Sequence, residues 1–229
     1  MTRPRSETTS TDGDPDPFAK ARARMVERQL RRRGIHDERV LAAMAEVPRE
    51  RFVPPEARAE AYRDGALAIG EGQTISQPWI VACMSMLLQL TGDEGVLEVG
   101  TGSGYAAAVL SRCAAEVVSI ERHPALAQHA REVLRELGYD NVEVRTGDGT
   151  RGAPDRAPFG GISVTATAEG GPPPALFDQL SPGAALVCPV RRGGDEHLMR
   201  FLDGTEELVA PVRFVPLVGM ELNGEPAEG

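Results

Sequence analysis

The sequence predicts an α/β fold: a doubly wound, mostly parallel sheet with an antiparallel C-terminal edge and an N-terminal helical extension. Three observations carry this. Residues 95–105 read Gly-Val-Leu-Glu-Val-Gly-Thr-Gly-Ser-Gly-Tyr, an apolar, β-branched run that feeds three glycines spaced two apart and then the alanine-rich segment 106–110. That is the pattern of a strand, a tight turn and a helix. Downstream, strand-like and helix-like stretches alternate, as βαβ units do. Finally, the β-like runs 197–202 and 209–217 are joined by an Asp203-Gly204 turn with no room for a helix, which makes them an antiparallel pair at the sheet edge.

The 229 residues, 41% of them hydrophobic, suffice for one globular core. No apolar run approaches the ~20 residues of a membrane span, and the N-terminus lacks a signal-type hydrophobic segment. A cytoplasmic, membrane-free protein is the expectation. Cys83, Cys113 and Cys188 are odd in number and embedded in apolar segments, so they read as buried small hydrophobes rather than a disulfide framework or a metal site. The net charge of −9 argues against a general nucleic-acid binder, but it is unevenly spread. Residues 18–51 hold ten Lys or Arg against five Asp or Glu. This basic segment is either a solvated helix face or an approach surface for an anionic substrate.

Taken in order, residues 1–17 have no apolar residue after Met1 and read as a disordered tail. A single domain follows over 18–222: N-terminal helices and a loop over 18–92, a ligand-binding core over 93–190, C-terminal strands over 191–222, then a tail over 223–229. Helix is predicted over 18–33 and closed by Gly34, and again after an Asp37 cap, with Val40, Leu41 and Met44 as its apolar stripe, ending before Pro48. The stretch Gly-Glu-Gly-Gln-Thr-Ile-Ser-Gln-Pro, 70–78, reads as a loop before the helical run 79–90. Ser76 has no nearby histidine and no nucleophile elbow, so as a bare feature it is most simply a helix cap. Strands are predicted over 117–120, 141–145, 161–165 and 184–190, with helices over 124–137 and 172–180.

The glycine spacing selects the ligand. A dinucleotide site wants G-x-G-x-x-G, whereas here the third glycine comes one step early and Glu98 stands two positions before the first. Free N–H groups at the helix start favour an anionic group beside Gly100, Gly102 and Gly104. Glu121, about 20 residues past the first glycine, offers two oxygens to the vicinal hydroxyls of a ribose. Asp148, in the Gly147-Asp148-Gly149 turn, could accept the exocyclic amine of adenine, or it could be an ordinary turn residue.

The E-x-G-x-G-x-G form resembles motif I of the S-adenosylmethionine-dependent methyltransferases, a Rossmann-like class. Combined with Thr-Ile-Ser-Gln-Pro ahead of it, Val-Val-Ser-Ile-Glu-Arg after it and then Gly-Asp-Gly-Thr, the chain resembles the protein-L-isoaspartate O-methyltransferase family over roughly 25–217. That resemblance implies S-adenosyl-L-methionine as cofactor, with Thr74, Ile75, Glu98, Gly100, Thr101, Gly102, Ser103, Gly104, Glu121, Arg122, Asp148 and Gly149 around it. It makes Ser76 the active-site serine and requires no metal. The implied partners are isoaspartyl proteins or peptides, not nucleic acid, met by a monomeric enzyme. Their α-carboxylate is already ionised at neutral pH, so no general base is needed and none is evident.

Three stretches depart from the family's pattern. Gly160-Gly161 replaces an Asp-Ala pair, the loop 165–174 carries two glycines and three prolines, and 191–196 is charged where a neutral connection is usual. These departures keep open a variant that modifies one dedicated peptide, and a cofactor-binding protein without activity. The basic segment keeps open a nucleic-acid methyltransferase.

Overall fold

The computed structural model describes residues 16–219. The tail expected over 1–17 lies outside that range except for its last two residues, and so does 223–229. The N-terminal layer consists of α1 (Ala19–Met25), which continues through a π turn and a 3₁₀ turn to Gly34, and α2 (Glu38–Glu46). Gly34 closes the first segment in the left-handed conformation, and the Asp37 carboxylate caps α2 by accepting from the Arg39 and Val40 amides. Much of the basic charge in this layer is matched locally: Arg31 pairs with Glu38, Arg33 with Asp64 and Arg51 with Glu136. Arg49 is fully buried, donates to the Ala61 carbonyl at 2.7 Å and stacks over the Tyr105 ring at 4.8 Å, which ties this layer to the core.

The segment 70–78, expected as a loop, belongs to a hairpin. Strand β1 (Leu67–Gly70) pairs antiparallel with β2 (Gln73–Ile75) across Glu71-Gly72, and Pro78 then opens α3 (Pro78–Leu87). Ser76 does not cap that helix. The cap position belongs to Gln77, and no side chain makes the capping bond.

The core alternates as predicted: β3 (Gly95–Val99), α4 (Tyr105–Ser111), β4 (Glu116–Glu121), α5 (Pro124–Glu136), β5 (Val142–Thr146), β6 (Phe159–Val164), the short β7 (Ala168–Glu169), α6 (Pro174–Phe177), β8 (Leu180–Arg192), β9 (Asp195–Leu202) and β10 (Thr205–Pro211). The sheet order is β10-β9-β8-β6-β3-β4-β5, with β7 beside β8. All neighbours are parallel except β8-β9 and β9-β10. The chain winds outward from β3 through β4 to β5, then returns to β6 on the other side. The crevice at the carboxyl end of β3 is therefore the topological switch point where doubly wound sheets bind ligands.

Two expected elements are shorter than predicted. The prolines at 172–174 hold the chain extended, so α6 is a single turn, and β10 stops at Pro211, which lacks an amide for the ladder. Gly160-Gly161 stays within β6, where the register against β8 shifts between Phe159 and Gly161. A Cβ on Gly160 would lie 2.5 Å from the side chain of Glu94, so only glycine lets the strand pack there.

Candidate active site

The turn after β3 is built by three glycines with positive φ, Gly100 (98°), Gly102 (53°) and Gly104 (87°). The first and last have distinct steric reasons. A Cβ on Gly100 would fall 2.2 Å from Thr165 Oγ1, and one on Gly104 would press on Ala130 and Leu134 of α5 at 3.2 and 3.3 Å. The turn thus sits against the end of β6 on one side and against α5 on the other.

Around it opens a cleft of about 860 Å³, its mouth included, walled by Thr74, Ile75 and Ser76 from the hairpin and by Gly100, Thr101, Gly102 and Ser103 from the turn. Glu121, Arg122, His123 and Gly149 line it as well. The Thr-Ile-Ser stretch and the glycine turn, 24 positions apart at Ser76 and Gly100, face the same space.

Glu121 is 5% exposed, and both its oxygens are fixed. Oε2 accepts from the Gly102 amide at 2.8 Å and Oε1 from the His123 amide at 3.0 Å. Each oxygen retains a lone pair, so the two acceptors suit two adjacent ribose hydroxyls, and the site fits a nucleoside.

Three predicted residues fall outside the cleft wall. Gly104 serves the packing of α5. Asp148 lies beside the wall: its Oδ1 accepts from the Thr150 amide at 2.9 Å and the Thr150 hydroxyl at 2.7 Å, and Gly149 is the residue that lines the cleft. Glu98 lies beneath the turn, fully buried between β4 and β6, with Oε2 accepting from Ser119 Oγ at 2.5 Å and Ser119 in turn 2.6 Å from Thr101 Oγ1. It supports the turn through these hydroxyls and does not touch the cleft.

Burial, aided by the charge of Glu121, pushes the Glu98 carboxyl up to about 8. The folded state then holds a proton that the unfolded chain releases near pH 4.3, so stability falls as pH rises from there to about 8 and levels off above it. Glu98→Gln keeps an acceptor for Ser119 and removes the titration. Its melting temperature relative to wild type is expected to climb between pH 5 and 8, whereas parallel melting curves at both pH values would contradict the assignment.

Sequence reasoning missed one stretch of the wall. Thr165, Ala166 and the extended segment Val215, Pro216, Leu217 and Val218 complete the cleft, together with Tyr105. A second, open groove runs from Asp64 and Gly65 to Arg213 and Phe214. Thr74, Ser76, Thr165 and Val215 belong to both, so Ser76 stands where the two spaces meet.

Residues 20–222 match the family model described as protein-L-isoaspartate(D-aspartate) O-methyltransferase. The chain belongs to this family. The protein-L-isoaspartate O-methyltransferase of Pelotomaculum thermopropionicum is 53% identical over 213 residues, 91% of this chain and 93% of that one. An enzyme of the same name from Syntrophobacter fumaroxidans is 52% identical over 206 residues, 88% and 96% of the two chains. A solved protein-L-isoaspartate O-methyltransferase superposes with a TM-score of 0.76 at 29% identity, covering 85% of this chain and 65% of its own. A Plasmodium falciparum member solved with S-adenosyl-L-homocysteine shares the fold, at a TM-score of 0.74 and 24% identity over 86% and 97% of the chains. The chain is a methyltransferase, and the family's cofactor is S-adenosyl-L-methionine. Among the described residues no helix is long and apolar enough to cross a membrane, and no cluster of His, Cys, Asp and Glu is arranged to hold a metal.

Proposed function

We propose that this enzyme methylates the free α-carboxylate of L-isoaspartyl residues in cytoplasmic proteins and peptides, acting as a monomer, and that Ser76 orients the acceptor. The observation that carries the reading is the position of Ser76 at the junction of the enclosed cleft and the open groove. A donor held in the first and a peptide chain laid in the second would meet there.

Bound S-adenosylmethionine supplies an electrophilic methyl carbon on a sulfonium whose departing sulfur accepts the electron pair. The remaining chemistry belongs to positioning. Glu121, fixed by two backbone amides, holds the ribose, and the glycine turn with Thr101 and Ser103 cradles the amino-acid end. Ser76 donates its hydroxyl hydrogen to one oxygen of the acceptor carboxylate, leaving the other oxygen to attack in line. No proton has to be removed, because the carboxylate is ionised at neutral pH. Alignment of this kind is the classical source of several kcal/mol of barrier reduction. The resulting ester then loses methanol to attack by the neighbouring amide nitrogen, and water opens the succinimide partly to aspartate.

Paired peptides that differ only in an isoaspartyl or an aspartyl linkage, incubated with labelled S-adenosylmethionine, test the reading. Label is expected on the isoaspartyl peptide alone, as an alkali-labile ester. Equal labelling of both peptides, or transfer to RNA, would overturn it.

A further inference from the structure

The wall that sequence reasoning missed is docked on Thr167 and on the carboxylate of Glu196. Past β10 the chain leaves the sheet and runs extended. Its first part, Val212 to Val215, lines the open groove, and its second part, Val215 to Val218, lines the cofactor cleft. Glu196 of β9 is the hub beneath it. Its side chain is 8% exposed, and its Oε1 accepts from the Phe214 amide and from the Thr167 hydroxyl, each at 2.5 Å. Its Oε2 accepts from Arg191 at 3.0 Å, and Arg191 also holds Glu169 at 2.7 Å. The Glu196 backbone carbonyl accepts from the Val212 amide at 3.0 Å. Thr167 extends the clasp: its amide donates to the Val215 carbonyl at 2.8 Å and its carbonyl accepts from the Leu217 amide at 2.7 Å. Burial opposes the charge on Glu196, yet the donors from Thr167, Phe214 and Arg191 hold its carboxyl below the ordinary range.

We propose that Glu196 is a positioning residue for methyl transfer: by accepting the Phe214 amide and the Thr167 hydroxyl on one oxygen, it pins the segment 212–218 as the common wall of the cofactor cleft and the acceptor groove. The charged connection 191–196, an oddity of the sequence, thereby acquires a purpose. Arg191 fixes the carboxylate, and the carboxylate fixes the wall. A wall that is docked only part of the time lowers the apparent affinity for both ligands by the docked fraction, with little effect on the chemical step once both are bound.

The inference rests on the cofactor reading of the cleft, which wild-type binding of S-adenosylhomocysteine tests by itself. Given that binding, Glu196→Ala is expected to raise the dissociation constant and the peptide KM by roughly tenfold, the size of a lost charge-assisted hydrogen bond, with kcat changed less. Glu196→Gln retains an acceptor oxygen for Phe214 and Thr167 and is expected to stay within about threefold of wild type by the same reasoning. A folded alanine variant with unchanged affinity would overturn the proposal, as would a glutamine variant as impaired as alanine. Hydrogen exchange of the wild-type chain tests it independently of how the variants fold. The Phe214 amide, which the carboxylate itself accepts, should be protected, and exchange there at the rate of unstructured chain would equally overturn it.

Discussion

Glu121→Ala is expected to weaken S-adenosylhomocysteine binding by about a hundredfold. The carboxylate is charged and nearly sealed from water, with each oxygen anchored on a backbone amide at 2.8 or 3.0 Å. Hydrogen bonds to a charged acceptor contribute about 1.5–3 kcal/mol each, so losing two of them corresponds to about 3 kcal/mol or more, or two decades in affinity. A second effect acts in the same direction. The amides of Gly102 and His123 lose their acceptor, and the glycine turn loses the contact that fixes it to the end of β4. Calorimetry with S-adenosylhomocysteine measures the first effect directly. Because Glu121 is assigned to the ribose and Ser76 to the acceptor, turnover at saturating cofactor should fall far less than affinity. An unchanged dissociation constant would remove Glu121 from the cofactor site.

What the sequence makes legible is local. The glycine turn announces itself because three small residues at fixed spacing interrupt an apolar run, and the turn geometry demands them. Glu121 follows from counting along one βαβ unit. The hairpin at 67–75 is hidden for an equally local reason. Its two turn residues, Glu71 and Gly72, both have positive φ, 50° and 66°, and the usual marker for such a turn is Asn or Asp before the glycine. Glutamate at the first position masks it. Gln77 likewise takes the cap position that the sequence suggests for Ser76, which leaves the serine hydroxyl available to the cleft.

The rest depends on contacts far apart in the chain. Nothing in the alternation of 95–99 tells that Glu98 faces inward between β4 and β6, because a strand buried on both faces has no polar side to reveal it. The run 209–217 has the apolar pattern of a strand and is one only as far as Pro211. Beyond that its amides turn to Glu196 and Thr167, residues that no spacing rule links to it. The cofactor half of the site is therefore written in motifs, while the wall that closes it is written in tertiary pairing.

Ser76→Ala separates acceptor chemistry from cofactor binding. The variant is expected to lower kcat/KM for an isoaspartyl peptide by about ten- to a hundredfold, the loss of one hydrogen bond to a charged oxygen. S-adenosylhomocysteine affinity should stay near wild type, because the proposed ribose ligand is Glu121 and Ser76 is assigned to the acceptor. The fold should tolerate the change as well: Ser76 caps no helix, and alanine fits where serine stood. The pH dependence of the rate adds a second criterion. With an acceptor that is ionised well below neutrality and no base in the mechanism, the loss in the variant should be the same at pH 6 and pH 8. A serine acting as a nucleophile or relaying a proton would instead give a loss that changes with pH. Wild-type turnover in the alanine variant would remove Ser76 from the acceptor site, and Thr165 could not simply replace it, because its hydroxyl already donates to the Val99 and Gly100 carbonyls.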